Sequence, residues 1–299
     1  MNNVKKSFSI RDMENLSGIK AHTIRIWEKR YNLFTPERTS TNIRSYSLAS
    51  LQKLLNITLL YNNGYKISKI AKLDESHIPV IVREIVASNS EKNHAINAFK
   101  LAMVNFDQTL FLNTYNSLLA ERSFRDIFNE VFIPLLNELG LLWQTDTISP
   151  SHEHFMTHLI KQKIYLNTEK LQLVEPTKTN KVFALFLPEN EIHEIGLLYL
   201  NYEITLRGYK SIYLGQTMPI ESLQDLLKYY DNLHFVSYFT VSPTKDELGT
   251  YFEKFAVSLN AAGNSKLWVL GHQIQNIAQD SLPANIQAFN SIEHLISML

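Results

Sequence analysis

Residues 181–215, KVFALFLPENEIHEIGLLYLNYEITLRGYKSIYLG, decide how the C-terminal part of this chain folds. The run VFALFLP is unbroken, apolar and short, which suits a buried strand. Residues 191–208 then read as a helix with Gly208 as its C-cap, and YKSIYLG (209–215) reads as a second strand. The alternation continues downstream: a helix over 219–230, a strand over 233–240, a helix over 242–263 and a strand over 266–272. A short fifth strand in 285–290 and a last helix over 291–299 complete it. Regular strand–helix alternation predicts a parallel sheet with helices on both faces, a Rossmann-like (flavodoxin-like) α/β domain over 180–299.

Ligands of such sheets bind over the C-terminal ends of the strands. His193 follows the first strand and so lies at that edge. A histidine there is either an ordinary polar residue at a helix start or a ligand for something held above the sheet. Glu191, two residues earlier, can fix the imidazole tautomer and raise its basicity. Zinc is a poor partner, because the domain offers no second His or Cys at ligand spacing. A catalytic base would need a nucleophile, a phosphate loop or a carboxylate pair, and none accompanies it.

Upstream of the linker-like LVEPTKTN, residues 76–172 carry apolar residues at three- and four-residue spacing, broken at NSEKN, FDQT, ERS and TDTISP. That pattern predicts an antiparallel bundle of four or five helices. Trp143 closes one of them, and Glu153 with His154 opens the next, nine residues intervening. These three can line a pocket mouth. They can equally be a plug at the bundle end and a carboxylate that complements a helix dipole. Phe155 and Met156 are expected in the core.

The first quarter is different in charge. Residues 1–75 hold 13 Lys+Arg and 6 Asp+Glu, while the rest holds 16 basic and 23 acidic residues. A basic module on an acidic protein points to a polyanion partner. SIRDMENLSGIKAHTIRIWEKRY reads as helix, Gly-containing turn, helix, with Ser9 and Asp12 as a capping box for the first helix. The second helix, roughly 21–31, turns Ile24 and Trp27 (or Ile26) inward. It offers His22, Thr23 and Arg25 near its start, where side chains reach base edges. Residues 33–46 fit a two-stranded wing carrying Arg38 and Arg44 to DNA. An amphipathic helix ending at Gly64 follows. Lys5, Lys20, Lys29 and Arg30 complete the candidate phosphate and groove contacts.

Across its 299 residues the chain has 45% hydrophobic and 19% charged residues and no cysteine. This is a folding composition of two or three domains, without disulfides, thiolate metal sites or a Cys nucleophile. No run approaches the ~20 apolar residues of a membrane span, and the N-terminal residues lack a signal-peptide core. A cytoplasmic protein is expected.

TIRIWEKRYNLFTPERTSTNIRSYS resembles the MerR-family DNA-binding domain, which has an R-x-W/Y-E helix, then P-x-R, then R-x-Y. Here these are Arg25, Trp27, Glu28, Pro36, Arg38, Arg44 and Tyr46. The resemblance implies a winged helix-turn-helix over 1–75 that binds double-stranded operator DNA as a dimer, Tyr46 included among its DNA-binding positions. ENEIHEIG is similar to the cobalamin-binding motif in its D/E-x-H-x-x-G form, through Glu191, His193 and Gly196. In that family the histidine is the lower cobalt ligand, and the nucleotide tail lies beside S-x-L on the third strand and Gly-Gly after the fourth. The matching positions read Ser237-Tyr238-Phe239 and Gly271-His272.

The module order resembles the CarH/LitR-like photoreceptor repressors, which also carry W-x9-E-H in a helical bundle over the upper cobalamin face. Trp143, Glu153 and His154 match that spacing. The resemblance implies an oligomeric repressor, dimer or tetramer, that binds adenosylcobalamin in the dark and releases its operator when light breaks the cobalt–carbon bond. Three positions depart from the pattern. Phe239 replaces leucine and narrows the tail slot; His272 replaces a glycine and obstructs it. Gln144 stands where some light sensors have histidine. Two other readings remain: a MerR-type regulator whose C-terminal domain takes a partner protein or another ligand, and an enzyme of the corrinoid methyl-transfer type.

Overall fold

The computed structural model describes residues 7–38, 42–82, 92–144, 147–259, 265–275, 277–279 and 282–299. The chain forms two compact units, Met1–Ile160 and Lys161–Leu299. Lys5, residues 83–88 of the helix predicted from residue 76, and the break at NSEKN up to residue 91 lie outside the described residues; 78–82 are helical. None of the described helices is long and apolar enough to cross a membrane.

The first unit begins with a short strand β1 (Ser7–Phe8), helix α1 (Ile10–Ser17) and helix α2 (Ala21–Tyr31). The capping box is present: Ser9 accepts from the Asp12 N–H and Asp12 accepts from the Ser9 N–H. Gly18 ends α1 in the left-handed region at φ 72°, and the chain turns into α2. Strands β2 (Glu37–Arg38) and β3 (Arg44–Ser47) pair antiparallel, and β3 also pairs with β1. The predicted wing is therefore the outer part of a three-stranded sheet; its tip at 39–41 lies outside the described residues. Helix α3 (Leu48–Asn62), capped by Ser47, and the short α4 (Ile67–Ile70) close this module.

Its core holds Met13, Leu16, Ile24, Trp27, Tyr46, Leu51 and Leu54, all buried. Trp27 packs edge-on against Tyr61, with ring centres 5.3 Å apart. So α2 turns Ile24 and Trp27 inward, and Ile26 outward.

The bundle follows as α5 (Lys92–Asn105), α6 (Gln108–Leu119), α7 (Phe124–Ile127), a π-helical turn (Phe128–Phe132), α8 (Ile133–Gln144) and α9 (Pro150–Gln172). Phe99, Phe111, Tyr115, Phe128 and Phe132 stack in its interior. The segment predicted as one helix over 123–144 is continuous, but its π turn lies just before Pro134. A proline ring removes an N–H from the helical ladder, and a wider turn absorbs the misfit. Between α8 and α9, Thr147 is fully buried and its hydroxyl donates to Asp12 Oδ1 at 3.2 Å. Asp12 thus caps α1 with one carboxylate oxygen and receives the α8–α9 connection with the other.

In the second unit, strands β4 (Lys178–Phe186), β5 (Tyr209–Gly215), β6 (Leu233–Tyr238), β7 (Lys266–Leu270) and β8 (Ile286–Ala288) form one parallel sheet in the order β5-β4-β6-β7-β8. The expected doubly covered sheet is present, short fifth strand included. Alternate residues serve opposite faces. Ala184, Phe186, Phe235, Leu267 and Val269 face Leu223 and the helix α11 (Leu248–Leu259). Phe183, Leu185, Val236, Trp268 and Leu270 face helices α10 (Ile195–Leu206) and α12 (Ile292–Ile296). The helix expected after β5 is present as a 3-10 helix, Ile220–Lys228. Its apolar residues Ile220, Leu223 and Leu226 recur every third position, which aligns them on one face at three residues per turn.

His234, at the start of β6, is buried between Phe183 and Trp268. Burial, reinforced by the charges of Lys181 and Lys266, holds its imidazole down at about 4 from an ordinary 6.5. A depressed histidine folds as the neutral form, so its contribution is complete above pH 6.5 and is lost as pH falls toward 4. A His234→Phe variant is expected to flatten the dependence of unfolding free energy on pH in that window, a span on the order of 2–3 kcal/mol. Denaturant titrations of both proteins between pH 7 and 4 measure it; parallel curves would show that His234 is not the group responsible.

Candidate functional site

The chemistry at the sheet edge starts with a loop. α10 begins at Ile195, so residues 188–194 are loop and His193 sits on it rather than inside a helix. Glu191 has no exposed surface. Its Oε2 accepts three successive backbone N–H groups after β6, from Thr240 (2.9 Å), Val241 (2.6 Å) and Ser242 (3.0 Å). Its Oε1 accepts the N–H groups of Ile192 and His193, each at 2.9 Å, and faces His193 Nδ1 at 2.6 Å. Burial alone pushes this carboxyl up, but the N–H groups of Val241, Ser242 and His193, with the imidazole, outweigh it and hold it at about 2.

Glu191 is therefore a fixed anion. It sets the proton of neutral His193 on Nδ1 and leaves the Nε2 lone pair free. The His193 side chain is 53% exposed, so that nitrogen is accessible. The next residue, Glu194, accepts from Tyr213 Oη at 3.0 Å and pairs with Lys161 Nζ at 2.9 Å, which ties the loop to β5 and α9.

The other positions expected at this edge behave differently. Ser237 is fully buried and its hydroxyl donates to the Phe186 carbonyl at 2.8 Å, so it has no surface for a ligand. Phe239 is also fully buried, packed edge-on against Tyr251 and stacked on Phe252. Gly196 lies against Tyr238, whose ring would be 2.7 Å from an added Cβ. Gly271 has φ 120°, and an added Cβ would strike the Phe239 backbone. The close approach that demands glycine there is made by the chain's own β6 end. His272 is exposed, and the Gln144 side chain lies outside the described residues.

In the first unit, Trp143 is 54% exposed, which corrects the idea of a plug buried in the bundle end. Glu153 and His154 sit in the first turn of α9, with Glu153 Oε2 at 3.6 Å from His154 Nε2 and the imidazole well exposed. Met156 is buried as expected, and Phe155 meets Phe106 edge-on at 5.4 Å.

On the DNA-reading module, His22, Arg25, Lys29, Arg30 and Arg38 are exposed and Thr23 is partly exposed. Lys20 pairs with Glu14 at 3.1 Å. Arg38 Nη1 donates to Asn42 Oδ1 at 2.7 Å. Arg44 Nε donates to both oxygens of Glu28 at 3.2 Å, and Tyr46 Oη donates to Glu28 Oε2 at 3.0 Å. Burial and the neighbouring Glu28 push the Tyr46 phenol well up. Tyr46 has no exposed surface, which corrects its expected DNA contact: its side chain braces the wing against α2 from inside. Sequence reasoning missed Glu28 as the acceptor joining α2 to β3. Its signal was an acidic residue between basic ones on an otherwise basic helix.

Residues 8–76 match the model of the MerR HTH family regulatory proteins. Residues 95–166 match the model of a B12 binding domain. The chain carries a MerR-type HTH domain followed by a B12-binding domain.

Its relatives agree with that placement. The HTH-type transcriptional repressor CarH of Myxococcus xanthus is 28% identical over 227 residues, 73% of this chain and 74% of the relative. The HTH-type transcriptional repressor CarA of the same organism is 24% identical, covering 72% and 70%. The HTH-type transcriptional regulator TnrA of Bacillus subtilis (strain 168) is 34% identical over 68 residues, 23% of this chain and 61% of the relative. Among solved structures, the monomethylamine corrinoid protein of Methanosarcina barkeri matches in fold with a TM-score of 0.52 at 12% identity, covering 73% of this chain and 96% of that one. The chain is thus a DNA-binding regulator rather than an enzyme.

The donor set of the regulator fits the cobalt of a cobalamin: one accessible imidazole nitrogen, its tautomer fixed by a buried carboxylate. Among the described residues no group of three His, Cys, Asp or Glu side chains is placed to hold a bare metal ion.

Proposed function

We propose that this regulator is a cytoplasmic repressor whose oligomeric state, dimer or tetramer, and grip on operator DNA are set by adenosylcobalamin and released by light. The observation that carries the reading is the Glu191–His193 pair, an ionised carboxylate beneath an accessible imidazole at the C-terminal edge of the sheet. Bound adenosylcobalamin would supply a cobalt–carbon bond that light can break. His193 Nε2 would be the lower ligand of the cobalt. Trp143, Glu153 and His154 would contact the adenosyl group. Gly196 and Gly271 would shape the sheet edge through their own packing rather than by touching the ligand.

Residues 1–75 would read the operator, 76–172 would cap the cofactor and 180–299 would hold it. Arg25, Lys29, Arg30, Arg38 and Arg44 would neutralise phosphates, and His22 and Thr23 would reach base edges.

The test is direct. Purified protein is mixed with adenosylcobalamin in the dark, and its absorption, size and affinity for operator duplex are recorded before and after illumination. Retained corrinoid, a larger species in the dark and loss of DNA on illumination are expected. Raising salt from 50 to 200 mM is expected to weaken DNA binding by on the order of a thousandfold, as counterion release requires for several phosphate contacts. A protein that retains no corrinoid overturns the cofactor reading. The burial of Ser237 and Phe239 favours, in that event, a MerR-family regulator whose second unit takes another ligand or a partner protein.

A further inference from the structure

The helix α2 has a sharply divided surface. Ile24 and Trp27 are buried on one side. His22, Arg25, Ile26, Lys29 and Arg30 are all exposed, and at 3.6 residues per turn they fall within an arc of about 140°. Ile26 is near the middle of that arc, one turn from His22 and from Lys29 and Arg30, and beside Arg25. It is 51% exposed. Single exposed apolar residues are common on proteins, but this one is ringed by side chains suited to a polyanion, on the helix that reads DNA.

An isoleucine side chain has no hydrogen bond to offer a base. The apolar group that the major-groove edge of a base pair presents is the C5-methyl of thymine. We propose that Ile26 is a specificity-determining residue of this regulator, selecting thymine at one position of each half-site by packing on its methyl group. The flanking Arg25 and Lys29 hold the helix in the groove through phosphates or guanine edges, and Ile26 excludes water from the methyl between them. The inference rests on the DNA-binding reading of α2 and adds a base to it. It needs no rearrangement, because the side chain already faces outward.

The experiment uses the full chain, with and without added cobalamin. A binding site is selected from random duplex DNA and resynthesised with deoxyuridine in place of each thymine in turn, which removes one methyl and nothing else. Wild-type affinity is expected to fall about four- to tenfold at one such position in each half-site, the worth of one buried methyl or somewhat more. An Ile26→Ala variant is expected to bind the thymine and the deoxyuridine duplexes alike at that position, and to keep its melting temperature because the residue is half exposed. Wild-type binding indifferent to every deoxyuridine overturns the inference and leaves the DNA reading intact. A methyl dependence that survives in Ile26→Ala does the same. A chain that selects no duplex overturns the DNA reading and this inference with it.

Discussion

Replacing Glu191 by alanine is expected to cost about 3–5 kcal/mol of stability, the range for removing one partner from a buried charged network. The variant strips the acceptor from the N–H groups of Thr240, Val241 and Ser242, and from those of Ile192 and His193. An N–H left unpaired in a buried site costs about 1–3 kcal/mol, so several together account for the size. Thermal or denaturant unfolding measures the loss; a change under about 1 kcal/mol would mean that water replaces the carboxylate at no cost.

Glu191→Gln separates the fold from the ligand chemistry. An amide can keep one oxygen on the Thr240–Ser242 N–H groups, but it then turns its NH2 toward His193 Nδ1. A donor there favours the tautomer with its proton on Nε2, the nitrogen proposed to take cobalt. The variant is expected to unfold later than Glu191→Ala yet to lose the proposed bond from His193 to cobalt. Its cobalamin absorption spectrum, set beside its melting curve, reads the two effects apart.

The second large effect is expected at His193. His193→Ala leaves the carboxylate and its backbone bonds in place, and the side chain is half exposed, so the fold should stay within ~0.5 kcal/mol of wild type. Cobalamin affinity is expected to fall by at least the ~10–100-fold that even outer-shell changes cost at metal sites. The absorption of the bound corrinoid should shift to that of a form without a histidine ligand. Added imidazole should restore part of the spectrum, since it supplies the missing nitrogen without the tether. A variant that keeps both spectrum and affinity would remove His193 as the ligand while leaving cobalamin binding itself untouched.

The opposite outcome is expected at Ser237 and Phe239. Both are buried and bonded or packed within the sheet unit. Changes there act through stability before they act on any ligand.

Much of this protein was legible in its sequence because the relevant signals are local. A run of six apolar residues closed by proline, then a helix and a glycine, describes a strand that feeds a crossover, and strand–helix alternation continued to a fifth strand admits a parallel sheet. Ser9 and Asp12 lie three residues apart, so their capping box could be read directly. The position of His193 after β4 follows from the same strand–helix order. Glu191, two residues earlier, was legible as the carboxylate that orients the imidazole, and it faces His193 Nδ1. That its other oxygen takes the N–H groups of residues 240–242, some fifty positions away, depends on β6 lying beside β4 in the sheet.

Tyr46, Ser237 and Ile26 mark the same divide. The family resemblance placed Tyr46 in a DNA-binding motif and Ser237 in a ligand-binding one, yet packing turned both inward and used their hydroxyls on Glu28 and Phe186. On α2 the pattern left Ile26 and Trp27 as alternatives for the buried face. Trp27 against Tyr61 of α3 settled it and sent Ile26 to the surface. The sequence by itself determined which elements form and in what order, because helix and strand periods are properties of near neighbours. Only the tertiary structure decided which polar atoms are satisfied inside and which remain for a ligand, because their partners arrive from distant parts of the chain.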